Sequence, residues 1–96
     1  MNITERNLLT KSLAKYRSGE YDEKAFHDNL ETVIHLLTES HFRKLRDRLE
    51  IIEANLERID FVSSDPRTEY LKELDLVDIL IAEYSIETRT SRTASA

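Results

Sequence analysis

Apolar residues recur at helical spacing in several separate stretches of the chain. The most regular stretch follows steps of three or four residues, which places its members on one face of an α-helix. Its members are Phe42, Leu45, Leu49, Ile52, Leu56 and Ile59. Because such a face must be buried against other elements, the pattern predicts helices packed on helices rather than a sheet.

Local signals divide the chain into four predicted helices. Gly19 suits the left-handed conformation that commonly closes a helix, and Asp22 can cap the first turn of the next helix. A second cap followed by proline occurs at Asp65–Pro66. We expect the preceding apolar pair, Phe61–Val62, to anchor a loop. The last predicted helix has the broadest apolar face, so we expect it to be the most central of the four.

The junction between the second and third predicted helices is ambiguous, because residues 38–41 contain neither glycine nor proline. The apolar faces on its two sides differ by roughly 70° at 100° per residue, which favours a break. One continuous helix from Asp22 to Ile59 would extend about 57 Å, too long for a compact monomer of this size. That alternative implies a dimer.

The composition agrees with an all-α fold. The chain has 96 residues, of which 40% are hydrophobic and 34% are charged, with one glycine and one proline. Tight turns between strands usually need more of both residues. We therefore predict a small antiparallel bundle of about four helices, formed by residues 1–88 as one domain, with a flexible tail at residues 89–96.

The cellular location is predicted from residues that the chain lacks. Without cysteine it cannot form a disulfide framework, which fits a reducing compartment. We find no signal-peptide core, and no apolar run approaches the ~20 residues that a membrane span requires. We expect a cytoplasmic protein that does not enter a membrane.

Negative charge is concentrated in segments 20–39, 49–65 and 66–88, and the net charge of the chain is −5. A nucleic-acid-binding protein usually shows clustered Lys and Arg, because phosphate groups must be neutralised. The one dense basic cluster, at residues 43–48, is expected to pair with the acidic second helix. We therefore expect no direct contact with nucleic acid.

Four potential metal ligands recur every four residues along the second helix: His27, Glu31, His35 and Glu39. Imidazole and carboxylate groups are suitable ligands for zinc. A single helix, however, brings only two of them to any one point, so a solvated flank of paired histidines and glutamates is the preferred interpretation. We expect no metal, no cofactor and no catalytic residues. A metal-dependent enzyme using His27, Glu31 and His35 is a remote alternative.

Acidic residues and one tyrosine are the candidates for binding a partner. Tyrosine is common at interfaces because it combines an apolar ring with a hydroxyl group. Two carboxylates on the last helix lie three residues apart within an otherwise apolar segment. The candidate residues are Glu20, Tyr21, Glu23, Asp28, Asp75 and Asp78.

These features favour a non-enzymatic, acidic binding protein. The favoured function is that of a stoichiometric inhibitor, an immunity protein or antitoxin, that covers a basic surface on a toxin or nuclease. In a loose sense the chain is similar to small helical immunity proteins of bacteria, although no diagnostic motif assigns it to a family. The alternative is a self-associating regulatory or structural adaptor, a homodimer whose seam is the apolar face from Phe42 to Ile59.

Overall fold

Four α-helices make up the computed structural model, which describes the backbone of residues 1–95 and the side chains of residues 1–84. They are α1 (Ile3–Arg17), α2 (Glu23–Leu36), α3 (Arg43–Val62) and α4 (Pro66–Ser95), with a short 3₁₀ helix at Ser40–Phe42. The described backbone contains no strand, so the predicted all-α bundle is confirmed. The predicted tail at residues 89–96 falls outside the fully described residues. None of the described helices is both long and apolar enough to cross a bilayer.

Successive helices run antiparallel. Tyr70 near the start of α4 donates a hydrogen bond to Asp60 near the end of α3. The guanidinium of Arg48, near the start of α3, lies 3.9 Å from the carboxylate of Glu83, which is farther along α4. Most contacts between helices join α1 to α2, α2 to α3 and α3 to α4.

Helix α4 is not the most central helix, contrary to the prediction. It packs mainly on α3 and makes fewer contacts with α1 and α2. The reason is that part of its broad apolar face does not pack against another helix of the described structure, since Leu76 and Ile79 are exposed.

Local capping explains where the helices begin and end. The backbone N–H of Ala25 donates to Asp22 Oδ1 at 2.8 Å, as the sequence predicts for an N-cap. Gly19 has φ +89°, a conformation that residues with a side chain rarely adopt, and it follows the end of α1. Asp65 caps α4 by accepting from the N–H of Thr68 at 3.4 Å. The predicted break between α2 and α3 is confirmed.

The regular apolar face that runs from Phe42, the last residue of the 3₁₀ helix, along α3 is buried inside the chain. All six of its members are buried: Phe42, Leu45, Leu49, Ile52, Leu56 and Ile59. They join the buried residues of α1, α2 and α4 in one core. This face is therefore covered by the chain itself and is not accessible as a dimer seam.

Aromatic rings join three helices at one end of the core. The ring of Tyr16 lies 5.5 Å from Phe26 and 5.7 Å from Tyr70, measured between centroids. The guanidinium of Arg67 lies over the Tyr16 ring at 5.0 Å and donates to the backbone oxygens of Tyr16 and Arg17. Arg67 thereby caps the C-terminus of α1 from the first turn of α4.

Residues 61 and 62 do not form the predicted loop. Helix α3 continues through Val62, and only residues 63–65 connect it to α4. Phe61 is 83% exposed and Val62 is 75% exposed. The prediction was wrong because these residues extend α3 on its outer side, away from the core.

Loss of the α2 cap has a measurable cost. We expect Asp22→Ala to lower the free energy of unfolding by about 1 kcal/mol, because the N–H of Ala25 loses its acceptor. Asp28→Ala is the matched control, since Asp28 only pairs with Lys24 on the exposed surface of the same helix. Urea denaturation measures both variants, and equal losses would contradict the capping role.

Candidate functional site

A concentrated polar arrangement lies between α2 and α3, around the ring of His27. Its Nε2 atom lies 3.2 Å from Glu53 Oε1 and 3.6 Å from Glu31 Oε1. Its Nδ1 atom lies 3.6 Å from Asp60 Oδ2. We call these four residues the His27 cluster. Carboxylates from two helices thus face both nitrogens of one imidazole.

Helix periodicity explains why these residues meet. His27 directly follows the buried Phe26, and Glu31 lies one turn farther along the same side of α2. Glu53 directly follows the buried Ile52 on α3. Because α2 and α3 bury their apolar faces in a shared core, the residues flanking those faces are brought together at the groove between the helices.

The surroundings of His27 favour its charged form. The side chain is 14% exposed, and this burial alone would lower the pKa of the imidazole. The hydrogen bond to Glu53 and the charges of Glu53, Glu31 and Asp60 act in the opposite direction and outweigh it. The net effect is a pKa of His27 above its ordinary value.

A hydrogen-bonded connection links the cluster to the aromatic core. The buried Tyr70 donates its hydroxyl to Asp60 Oδ2 at 2.8 Å. Burial, followed by the bond to Asp60, raises the pKa of Tyr70 well above its usual range. Asp60 is therefore held between Tyr70 and the ring of His27.

A shallow groove of about 390 Å³ adjoins the cluster, lined by Glu31, Ile34, His35, Glu50 and Glu53. Glu57 lies on the same side of α3, one turn beyond Glu53. We call the surface formed by the following residues the acidic face: Glu31, Glu50, Glu53, Glu57 and Asp60.

Two basic side chains near the acidic face have carboxylate partners. Arg46 Nε donates to Glu50 Oε1 at 3.1 Å, one turn along α3. Lys24 pairs with Asp28 at 3.0 Å on α2. Because both pairs are exposed to solvent, each stabilises the chain only weakly. Glu57 forms no ion pair with any side chain that the structure describes. The acidic face therefore keeps an excess of negative charge.

Two of the sequence-predicted partner-binding residues already have a partner within the chain. Arg17 at the end of α1 donates to both carboxylate oxygens of Asp78, at 2.6 and 3.3 Å. The same guanidinium lies 3.7 Å from Asp75. Asp75 and Asp78 thus lie together, and both face a cation of their own chain.

The other four sequence-predicted residues lie in α2 or just before it. Glu23 accepts a hydrogen bond from the Tyr16 hydroxyl at 3.0 Å. Tyr21 is half-buried, with the ammonium of Lys15 at 5.3 Å from its ring. Glu20 is exposed, and Asp28 pairs with Lys24. Among the described side chains, none of these four shares a hydrogen bond or ion pair with Asp75 or Asp78.

The histidine and glutamate stripe of α2 is divided in the folded chain. His27 and Glu31 converge with Glu53, whereas His35 is not among the converging ligands. The carboxylate of Glu39 instead lies 3.5 Å from Nε2 of His41. Sequence reasoning missed Glu53. The available signal was its position next to the apolar face of α3, which leaves open whether it faces α2 or α4.

An apolar patch lies on the opposite side of α3, facing α4. Its exposed members are Ile51, Leu76 and Ile79, and they border a groove of about 210 Å³. Arg48 lines one side of this groove and pairs weakly with Glu83. Exposed apolar groups in contact with one another are typical of interaction surfaces.

Comparison with known proteins indicates no function for the acidic face or for the apolar patch. No protein-family model, curated protein or solved structure matches this chain.

Proposed function

We propose that this chain is a non-enzymatic protein that binds a basic surface of another protein through its acidic face. Within that class we favour a stoichiometric inhibitor, such as an immunity protein or antitoxin, whose target is a toxin or nuclease. The observation that carries the proposal is the excess of carboxylates along the groove between α2 and α3. The proposed role involves no chemical step.

The acidic face is suited to receive arginine and lysine side chains. A partner guanidinium can bind a carboxylate through two parallel hydrogen bonds, and an ammonium can bind as a compact charge. Because several carboxylates lie along one groove, their potentials add and accelerate the encounter with a basic protein at low ionic strength.

Phe61 offers an apolar anchor beside these charges. It lies one turn beyond Glu57 on α3 and is 83% exposed. Aromatic side chains surrounded by polar residues frequently contribute most of the binding energy at interfaces. The combination of an exposed aromatic ring and a carboxylate groove supports specific binding rather than diffuse attraction.

Photo-crosslinking in the native cell identifies the partner. The probe p-benzoylphenylalanine replaces Phe61, and the control carries it at the exposed Thr10 on α1. Support requires an adduct specific to position 61 whose purified protein is basic and binds 1:1. Adducts with acidic proteins only, or equal yields from both positions, would overturn the proposal.

Charge reversal then tests the face itself. We expect Glu50→Lys combined with Glu57→Lys to weaken binding of the identified partner at least tenfold at low salt, and less at high salt. The control variant combines Glu20→Lys with Asp75→Lys, which changes net charge equally. Titration calorimetry measures both, with circular dichroism to verify helicity. A stronger effect of the control would place the interface on the sequence-predicted residues instead.

A specific observation also favours self-association as a second candidate function. The apolar patch is flanked along α3 and α4 by charges of both signs: Lys44, Asp47, Arg48, Lys72, Asp75 and Glu83. This balance suits a second copy of the chain related by two-fold symmetry, in which each patch covers the other. Sedimentation equilibrium tests it: a dimer dissociated by Ile79→Asp supports the adaptor, and a monomer at all concentrations excludes it.

A further inference from the structure

Three side chains between α2 and α3 have the composition of a metal site. One ligand atom from each of His27, Glu31 and Glu53 lies within 4.8 Å of the others. Two of these residues are one helical turn apart on α2, and the third comes from α3. The convergence of two helices thus supplies the third ligand that a single helix cannot.

Two of the three separations fit a small ion. Ligands ~2 Å from a tetrahedral zinc ion lie about 3.3 Å apart. The distances from His27 Nε2 to the nearest oxygens of Glu53 and Glu31 are 3.2 and 3.6 Å. The ligand atoms of Glu31 and Glu53 lie within 4.8 Å of each other, so side-chain adjustments can bring all three residues onto one ion.

We propose that His27 Nε2 and one carboxylate oxygen each from Glu31 and Glu53 bind a divalent transition-metal ion such as zinc. Water completes the coordination, because Glu31 lies on the open side of the groove. The imidazole ligand favours zinc and similar ions over magnesium and calcium, which prefer oxygen ligands alone.

Asp60 is a positioning residue for this site. Its carboxylate lies 3.6 Å from His27 Nδ1, and Tyr70 fixes it from the core side with a 2.8 Å hydrogen bond. A metal-bound histidine commonly donates its second N–H to a carboxylate, which fixes the ring and leaves the other nitrogen free to bind the ion. The cluster therefore contains both the ligands and a group that orients the histidine.

The competing account is a protonated His27 held between the carboxylates without any ion. The two accounts differ in what occupies Nε2: a proton in one case and a metal ion in the other. Metal binding at this cluster does not depend on the proposed protein partner, so the two proposals can fail separately.

Zinc titration of the purified chain without an affinity tag tests the site. We expect one Zn²⁺ ion per chain by calorimetry, with a change in the ¹⁵N shift of His27 Nε2 and none of comparable size at His35. Glu53→Gln and His27→Gln should weaken binding at least tenfold. His35→Gln is the matched control and should retain the wild-type affinity, because His35 lies outside the converging ligands.

Each outcome decides the proposal. If His27→Gln fails to fold by circular dichroism, Glu53→Gln and the ¹⁵N shift carry the decision, because Glu53 lies nearer the surface and glutamine preserves its shape. Absence of saturable Zn²⁺ binding up to millimolar concentration would overturn the site. An equal loss in His35→Gln, or a ¹⁵N shift at His35 instead of His27, would also overturn it.

Discussion

Truncation of Leu49 to alanine is expected to lower the free energy of unfolding by about 3 kcal/mol. The side chain is fully buried in the middle of the apolar face of α3, and the surrounding helices can collapse only partly around the cavity. For a chain of 96 residues the total stability is on the order of 5–14 kcal/mol, so the loss is a large fraction of the whole.

Ile51→Ala is the control for this core variant. Ile51 lies two residues farther along the same helix and is 64% exposed, so its truncation should cost less than about 0.5 kcal/mol. Urea denaturation followed by circular dichroism measures both variants. Comparable losses from the two variants would contradict the burial of Leu49 and the exposure of Ile51.

Alkaline pH should destabilise the chain steeply through its two buried tyrosines. Burial, followed by the hydrogen bond to Glu23, raises the pKa of Tyr16 well above its usual value. Burial and the bond to Asp60 do the same for the pKa of Tyr70. Both phenols therefore keep their protons in the folded chain at a pH where the unfolded chain has lost them.

The sign of this dependence follows from proton binding. Below the ordinary tyrosine pKa of about 10 both states are protonated and the stabilisation is complete. Above it the folded state binds more protons than the unfolded state, so stability falls by about 1.4 kcal/mol per pH unit for each ring. Unfolding by urea between pH 9 and 11.5 measures the slope.

Removal of one phenol separates this effect from general alkaline damage. In Tyr70→Phe the alkaline slope should fall by about half, because only one buried hydroxyl remains. Tyr21→Phe is the control, since Tyr21 is only half-buried. An unchanged slope in Tyr70→Phe, or a similar reduction in Tyr21→Phe, would contradict the assignment.

The features of the fold that were predictable from sequence are those decided locally. The cap at Asp22, the left-handed Gly19 and the spacing of apolar residues on α3 each depend on neighbours within one or two helical turns. The break before α3 was also detectable, because the apolar faces on its two sides are out of phase.

The candidate site was less predictable because it depends on how helices face one another. Glu53 contacts His27 across 26 residues of sequence. Nothing in the spacing of α3 shows whether the flank carrying Glu53 and Asp60 faces α2 or α4. The sequence therefore indicated two of the metal-ligand candidates and offered His35 where the fold supplies Glu53.

The partner-binding candidates illustrate the same difficulty. Asp75 and Asp78 had the expected surface position on α4, yet Arg17 faces both of them from the end of α1. That pairing depends on where the end of α1 meets α4, which periodicity alone does not specify. Conversely, the acidic face combines carboxylates from α2 and α3 that no single segment shows together.

Carboxylate footprinting of the chain, free and in complex with its identified partner, shows which carboxylates the partner covers. Carbodiimide labelling modifies accessible Asp and Glu side chains, and mass spectrometry locates each modification. We expect the complex to protect Glu31, Glu50 and Glu57, while Glu20 and Asp75 remain as reactive as in the free chain. Protection of Glu20 and Asp75 with full reactivity along the acidic face would contradict this expectation.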